Sequence, residues 1–152
     1  MRTVQNILDT KGEALNVVAP GTRVIDALNL LNSINLSYLI VKDDDNYEGI
    51  FSERDYSRNV ILKGKSSSSS VVEEVMTVDF PEVGVNDTVE HCMYLINSHK
   101  TRYLLAYDDN EKFVGVITIH DLLRQVLASK EQVFDSSQAQ QLIEHAESGR
   151  IF

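Results

Sequence analysis

What this chain lacks narrows its chemistry before any motif is read. Its one cysteine, Cys92, can form no internal disulfide and no cysteine metal pair, a usage that fits a reducing compartment. No apolar run approaches the ~18 residues of a membrane-spanning helix, and the first residues lack the charged-then-apolar pattern of a secretory leader. The expected location is the cytoplasm. Basic residues are scarce as well: 14 Lys and Arg against 23 Asp and Glu leave a formal net charge of −9. That balance argues against a nucleic-acid or anionic-membrane surface, which needs a basic face to release counterions. A small anion can still bind where cations cluster locally.

Reactive constellations are missing too. His91, His99, His120 and His145 show no metal-ligand spacing, so no zinc site is expected. Asp43, Asp44 and Asp45 with Glu48 lack the full calcium-loop pattern and read as an acidic hairpin turn. No Ser-His-Asp or Cys-His arrangement, activating base or phosphate loop is legible, and the chain is not expected to be an enzyme.

What is present is an internal repeat. The 152 residues are 43% hydrophobic and 24% charged, enough for one sizeable core or two small ones. Val4 matches Val72 at an offset of 68, Val24 matches Val89 at 65, Tyr38 matches Tyr103 at 65, and Gly49 matches Gly115 at 66. Four elements at offsets of 65 to 68 define a duplicated unit of about 65 residues, read as β-α-β-β-α with a leading helical turn. Val24, Ala27, Leu28, Leu31 and Ile34 have helical spacing after a start at Thr22. So do Val89, Cys92, Met93 and Ile96 after Asp87, which has the form of a capping box with Glu90. Cys92 thus falls on an apolar helix face and reads as core. Lys63-Gly64-Lys65 ends the first unit, and Ser66 to Ser70 read as a flexible loop. Ala139, Leu142, Ile143 and Ala146 mark an appended amphipathic helix without a counterpart.

The most informative stretch is written twice. Gly49-Ile50-Phe51-Ser52-Glu53-Arg54-Asp55 returns as Gly115-Val116-Ile117-Thr118-Ile119-His120-Asp121, each a short apolar strand turning into a helix. Ser or Thr followed three residues later by an acid caps a helix and needs no ligand. The same corner can also seat a nucleotide, since a carboxylate accepts two bonds from vicinal ribose hydroxyls, while a hydroxyl and helix amides hold phosphate oxygens. Cations lie close by in both copies: Arg54 and Arg58, then His120 and Arg124. The spacing of Arg58 and Arg124 from Asp55 and Asp121 favours intrahelical ion pairs for those two.

With these motifs the chain resembles a tandem pair of CBS domains, the modules named after cystathionine β-synthase, over about residues 2 to 130. The resemblance implies an α+β fold: two β-α-β-β-α units packed with pseudo-two-fold symmetry, plus a C-terminal helix. The units are expected at residues 2–64 and 71–130, with a serine-rich linker at 65–70 and a helical extension at 131–152. It further implies that Asp55 and Asp121 bind ribose hydroxyls while Ser52 and Thr118 bind near ribose or phosphate. Adenine would lie near Val17, Val18 and Tyr38, and near Pro81, Val83 and Tyr103. Family members often carry Arg then His before the second strand of a unit. Here Arg102 is followed by Tyr103, and the first unit has Ser37 instead, so two unequal sites are expected, the better phosphate binder being the one nearest Arg102.

The function so implied is a regulatory or energy-sensing module. AMP, ADP, ATP or NAD would bind in a cleft between the units and change a surface offered to a partner protein. No obligatory cofactor is implied, and a homodimer is. The alternative is a structural or interaction module in which the repeated corners only cap helices.

Overall fold

A computed structural model describes residues 2–128 of the chain. The extension expected at 131–152 lies outside the described residues. The elements are α1 (Val4–Lys11), β1 (Val17–Val18), α2 (Val24–Ile34), β2 (Tyr38–Asp43), β3 (Asn46–Ser52) and α3 (Glu53–Asp55), which runs on as a π-helical stretch, Tyr56–Ile61. They continue with α4 (Val72–Val75), β4 (Glu82–Gly84), α5 (Val89–His99), β5 (Tyr103–Tyr107), β6 (Phe113–Thr118) and α6 (Ile119–Ala128).

Two three-stranded sheets share one plan. β1 runs parallel to β2, which is antiparallel to β3, and β4, β5 and β6 repeat the arrangement. The hairpin registers coincide, with Tyr38 opposite Ser52 and Tyr103 opposite Thr118. Tyr38 to Val41 are all buried, so β2 is covered on both faces, as its unbroken apolar run requires. Asp44 takes a left-handed φ of 54° in the first hairpin turn, a conformation Asp tolerates.

The compact units do not follow the repeat boundaries. Ala14–Asp79 form one unit; the described residues up to Glu13 and from Phe80 form the other. Each leading helical turn therefore joins the repeat that it does not lead. In one unit the amides of Val4 and Gln5 donate to the carbonyls of Asp87 and Val85 at 2.9 Å each, and Val4 and Ile7 enter a core with Val89, Cys92, Leu104 and Leu122. In the other, Val72 donates to Thr22 at 2.8 Å, and Val72 and Val75 join Val24, Leu39, Phe51 and Val60. Cys92 is fully buried, and burial followed by the nearby Asp87 carboxylate pushes its thiol up to about 11.

Two helix starts differ from expectation. The N-cap of α5 is Thr88, whose hydroxyl accepts from the His91 amide at 3.0 Å, while the Asp87 carboxylate turns back to Gly84 N at 2.8 Å. The N-cap of α2 is Arg23, which makes no side-chain cap. Its duty falls to the serine run, where the carbonyls of Ser70 and Ser67 accept from the amides of Val24 and Ile25 at 2.8 and 2.9 Å. The residues read as a flexible linker are thus docked, with Ser70 buried, because orphan amides at a helix start demand acceptors.

Candidate functional site

Both repeated corners form, and both glycines are explained by contact. A Cβ on Gly49 would lie 2.6 Å from Met76 Sδ, and one on Gly115 2.9 Å from Leu8 Cδ2. Each motif glycine lets a side chain from the leading helical turn lie against bare backbone.

In the Ala14–Asp79 unit, Asp55 Oδ2 accepts from Ser52 N at 2.8 Å and from Ser52 Oγ at 2.9 Å, while Ser52 Oγ accepts from Asp55 N at 3.2 Å. The other carboxylate oxygen accepts from Thr77 Oγ1 at 2.7 Å. Ser52 and Asp55 are only 8% and 7% exposed. The Glu53 amide donates to the Ser37 carbonyl at 3.2 Å, so most of the helix-start donors expected for phosphate are engaged internally.

The second corner is built alike but finished differently. Thr118 N donates to Asp121 Oδ2 at 2.9 Å, Asp121 N to Thr118 Oγ1 at 3.2 Å, and Ile119 N to the Arg102 carbonyl at 3.3 Å. Where Asp55 meets a hydroxyl, Asp121 meets an ammonium: Lys11 Nζ lies 2.8 Å from Oδ2 and also donates to the Val116 carbonyl at 2.8 Å. Among the described residues Asp121 Oδ1 accepts no hydrogen bond, and Thr118 and Asp121 are each partly exposed.

The cations sort themselves unexpectedly. Nε and Nη2 of Arg102 are buried with no hydrogen-bond partner among the described residues. Arg124 donates to His120 Nε2 at 2.6 Å, one helical turn before it, rather than pairing with Asp121. Arg54 is half-buried at its helix start, and Arg58 is exposed.

The regions assigned to adenine are uneven. Tyr103 is buried edge-on against Phe80, with ring centroids 5.5 Å apart, and Pro81 accepts through its carbonyl from Leu105 N at 2.9 Å. The Val83 side chain points into the core, which leaves only its backbone to a ligand. Val17 is exposed, Val18 packs against the other core, and Tyr38 is buried with its carbonyl bonded to Asn16 Nδ2 at 3.2 Å. Thr77, Lys11, Asn16 and Phe80 were not singled out by sequence reasoning. Only Asn16, a polar residue entering an apolar strand, carried a local signal.

A CBS domain family model matches residues 12–61 and 72–128. The chain belongs to the CBS domain family. A crystal structure of a CBS domain shares 34% identity with it at a TM-score of 0.75, covering 84% of this chain and 99% of that one. The structure of CBSX2 in complex with AMP shares 26% identity at a TM-score of 0.66, over 84% and 98% of the two chains. The mitochondrial CBS domain-containing protein CBSX3 of Arabidopsis thaliana is 25% identical over 134 residues, or 82% of this chain. The chain spans 65% of that relative's length. CBS-pair proteins are in general regulatory and bind adenine nucleotides. Among the described residues no helix is long and apolar enough to cross a membrane.

Proposed function

We propose that this CBS pair is a regulatory module that binds an adenine nucleotide, AMP, ADP, ATP or NAD, through Thr118, Asp121 and Arg102. The observation that supports it is the guanidinium of Arg102, with two buried N–H-bearing nitrogens that find no acceptor among the described residues. A buried donor left unsatisfied costs about 1–3 kcal/mol, and more where it carries charge. A phosphate removes that cost through a bidentate, charge-assisted pair. The Arg102 backbone is tied to Ile119, two residues before Asp121, so phosphate and ribose functions share one helix start. Asp121 Oδ1 and the Thr118 hydroxyl take the ribose, and adenine lies against Tyr103 and the backbone at Pro81 and Val83.

Regulation follows from differential affinity. The nucleotide shifts the chain toward the conformation that it binds better, and by no more than that difference. The chain acts as a homodimer on a partner protein. Thermal unfolding with AMP, ADP, ATP and NAD tests the reading, since a ligand that binds only the folded state raises its stability. At least one of them stabilises the wild type, and Arg102→Gln weakens that response by about tenfold or more in ligand concentration. No stabilisation by any of the four at millimolar concentration overturns the proposal.

A further inference from the structure

We infer that Thr77 closes the corner of Ser52 and Asp55, so that one nucleotide binds per chain, at Thr118 and Asp121. The inference rests on the reading that a Ser/Thr-x-x-Asp corner of this chain receives ribose. Every function that ribose would use is engaged at the first corner. The Ser52 hydroxyl proton goes to Asp55 Oδ2 at 2.9 Å, and Asp55 Oδ1 holds the Thr77 hydroxyl at 2.7 Å. A ribose hydroxyl displacing Thr77 exchanges one neutral donor for another, so the hydrogen-bond count is unchanged and little affinity results.

Thr77 is also held in place. Its amide donates to the Ile50 carbonyl at 3.0 Å, its carbonyl accepts from Ile50 N at 2.8 Å, and the next residue, Val78, accepts from the Tyr47 hydroxyl at 2.7 Å. The backbone beneath the hydroxyl is therefore fixed at a small strand edge, and the hydroxyl leaves Asp55 only by rotating about χ1. The position before β2 adds no compensating charge, for Ser37 stands where the other repeat has Arg102. At the corner of Thr118 no hydroxyl among the described residues takes this role: Lys11 engages Asp121 Oδ2, and among the same residues nothing donates to Oδ1.

Equilibrium dialysis of the full chain against millimolar AMP decides the matter. Wild type binds one AMP per chain. Thr77→Ala binds two, the second more weakly for want of a guanidinium, and Thr77→Ser, which keeps the hydroxyl, binds one. Adding Asp121→Asn to Thr77→Ala returns the count to one. Where Thr77→Ala lowers the melting temperature below a working range, Thr77→Val keeps the β-branch and serves instead. Two AMP per wild-type chain, or one in Thr77→Ala and Thr77→Val alike, overturns closure and leaves the nucleotide reading standing. Uptake by Thr77→Ala alone supports closure but removes the assignment to Thr118 and Asp121. No uptake by wild type or by either Thr77 variant overturns both.

Discussion

Lys11 lies 2.8 Å from Asp121, and the same ammonium reaches the Val116 carbonyl at 2.8 Å. In the other unit two separate groups of Thr77 do this work, its hydroxyl meeting Asp55 and its amide meeting Ile50, the counterpart of Val116. A single lysine from α1 thus replaces a short strand edge, because α1 runs through Lys11 over 8 residues where α4 stops after 4.

Removing that ammonium should loosen α1 and little else. The ion pair is partly shielded, with side-chain exposures of 30% for Lys11 and 11% for Asp121. Lys11→Met keeps the stem and removes the charge, and should cost about 1–2 kcal/mol, between the values for exposed and buried pairs. The melting temperature falls by several degrees and becomes less sensitive to salt than that of the wild type. An unchanged melting temperature in low salt would show that the pair contributes nothing.

The motif glycines should prove coupled to the residues that lie on them. Gly49→Ala places a methyl 2.6 Å from Met76 Sδ and 2.9 Å from its Cγ, so more than the tip of that side chain must move. An overpacking cost of about 1–3 kcal/mol is expected. Met76→Ala removes the obstacle, so the double variant should be more stable than the sum of the two losses allows, by about 1 kcal/mol. Additive losses in denaturant titrations would mean that the glycine serves some other need.

The docked serine run gives a prediction about exchange. Ser67 and Ser70 carbonyls protect the amides of Ile25 and Val24. Deleting two of the exposed serines should strip those acceptors, cost about 1–3 kcal/mol, and speed hydrogen exchange at Val24 and Ile25 ahead of the rest of α2. A true linker would tolerate the deletion with exchange unchanged.

Alkaline pH should expose the buried thiol. Cys92 titrates near the ordinary 9.0 when unfolded and at about 11 when folded. The folded state holds the proton longer, so the stabilisation it contributes is complete below pH 9 and is lost as pH rises toward 11. Cys92→Ala should show a flatter decline of stability between those limits, measured by urea unfolding. Parallel curves would refute the assignment.

Legibility followed the range of the physical signal. The repeat, the hairpin pairing and the two corners were readable because each is encoded within a few residues: alternating apolar positions, a turn, a hydroxyl three before an acid. The allegiance of α1 and α4 was not, since the Val4 and Val72 amides find carbonyls at Asp87 and Thr22, far along the chain. Lys11 and Thr77 were hidden for a related reason. The offset of 68 that aligns the two leading turns places Lys11 beside Asp79 and Thr77 beside Asp9, so neither residue repeats. The start of α2, expected at Thr22, was displaced to Arg23, where carbonyls of the serine run and no side chain meet the first amides.

Stability and nucleotide binding should therefore part company between the two carboxylates. Asp55→Ala removes the acceptor for Ser52 N, Ser52 Oγ and Thr77 Oγ1 in a buried place, which should cost about 2–4 kcal/mol. Asp121→Ala removes the acceptor for Thr118 N and Lys11 Nζ at a partly exposed corner, where Lys11 retains the Val116 carbonyl, and should cost about 1–2 kcal/mol. AMP affinity should rank them in the opposite order. Asp121→Ala loses it by tenfold or more, while Asp55→Ala, still folded at low temperature, binds within about threefold of the wild type. Titrating both variants with AMP at a temperature where each is folded makes the comparison. Equal losses of affinity would mean that the hydroxyl of Thr77 and the ammonium of Lys11 do not set the two corners apart.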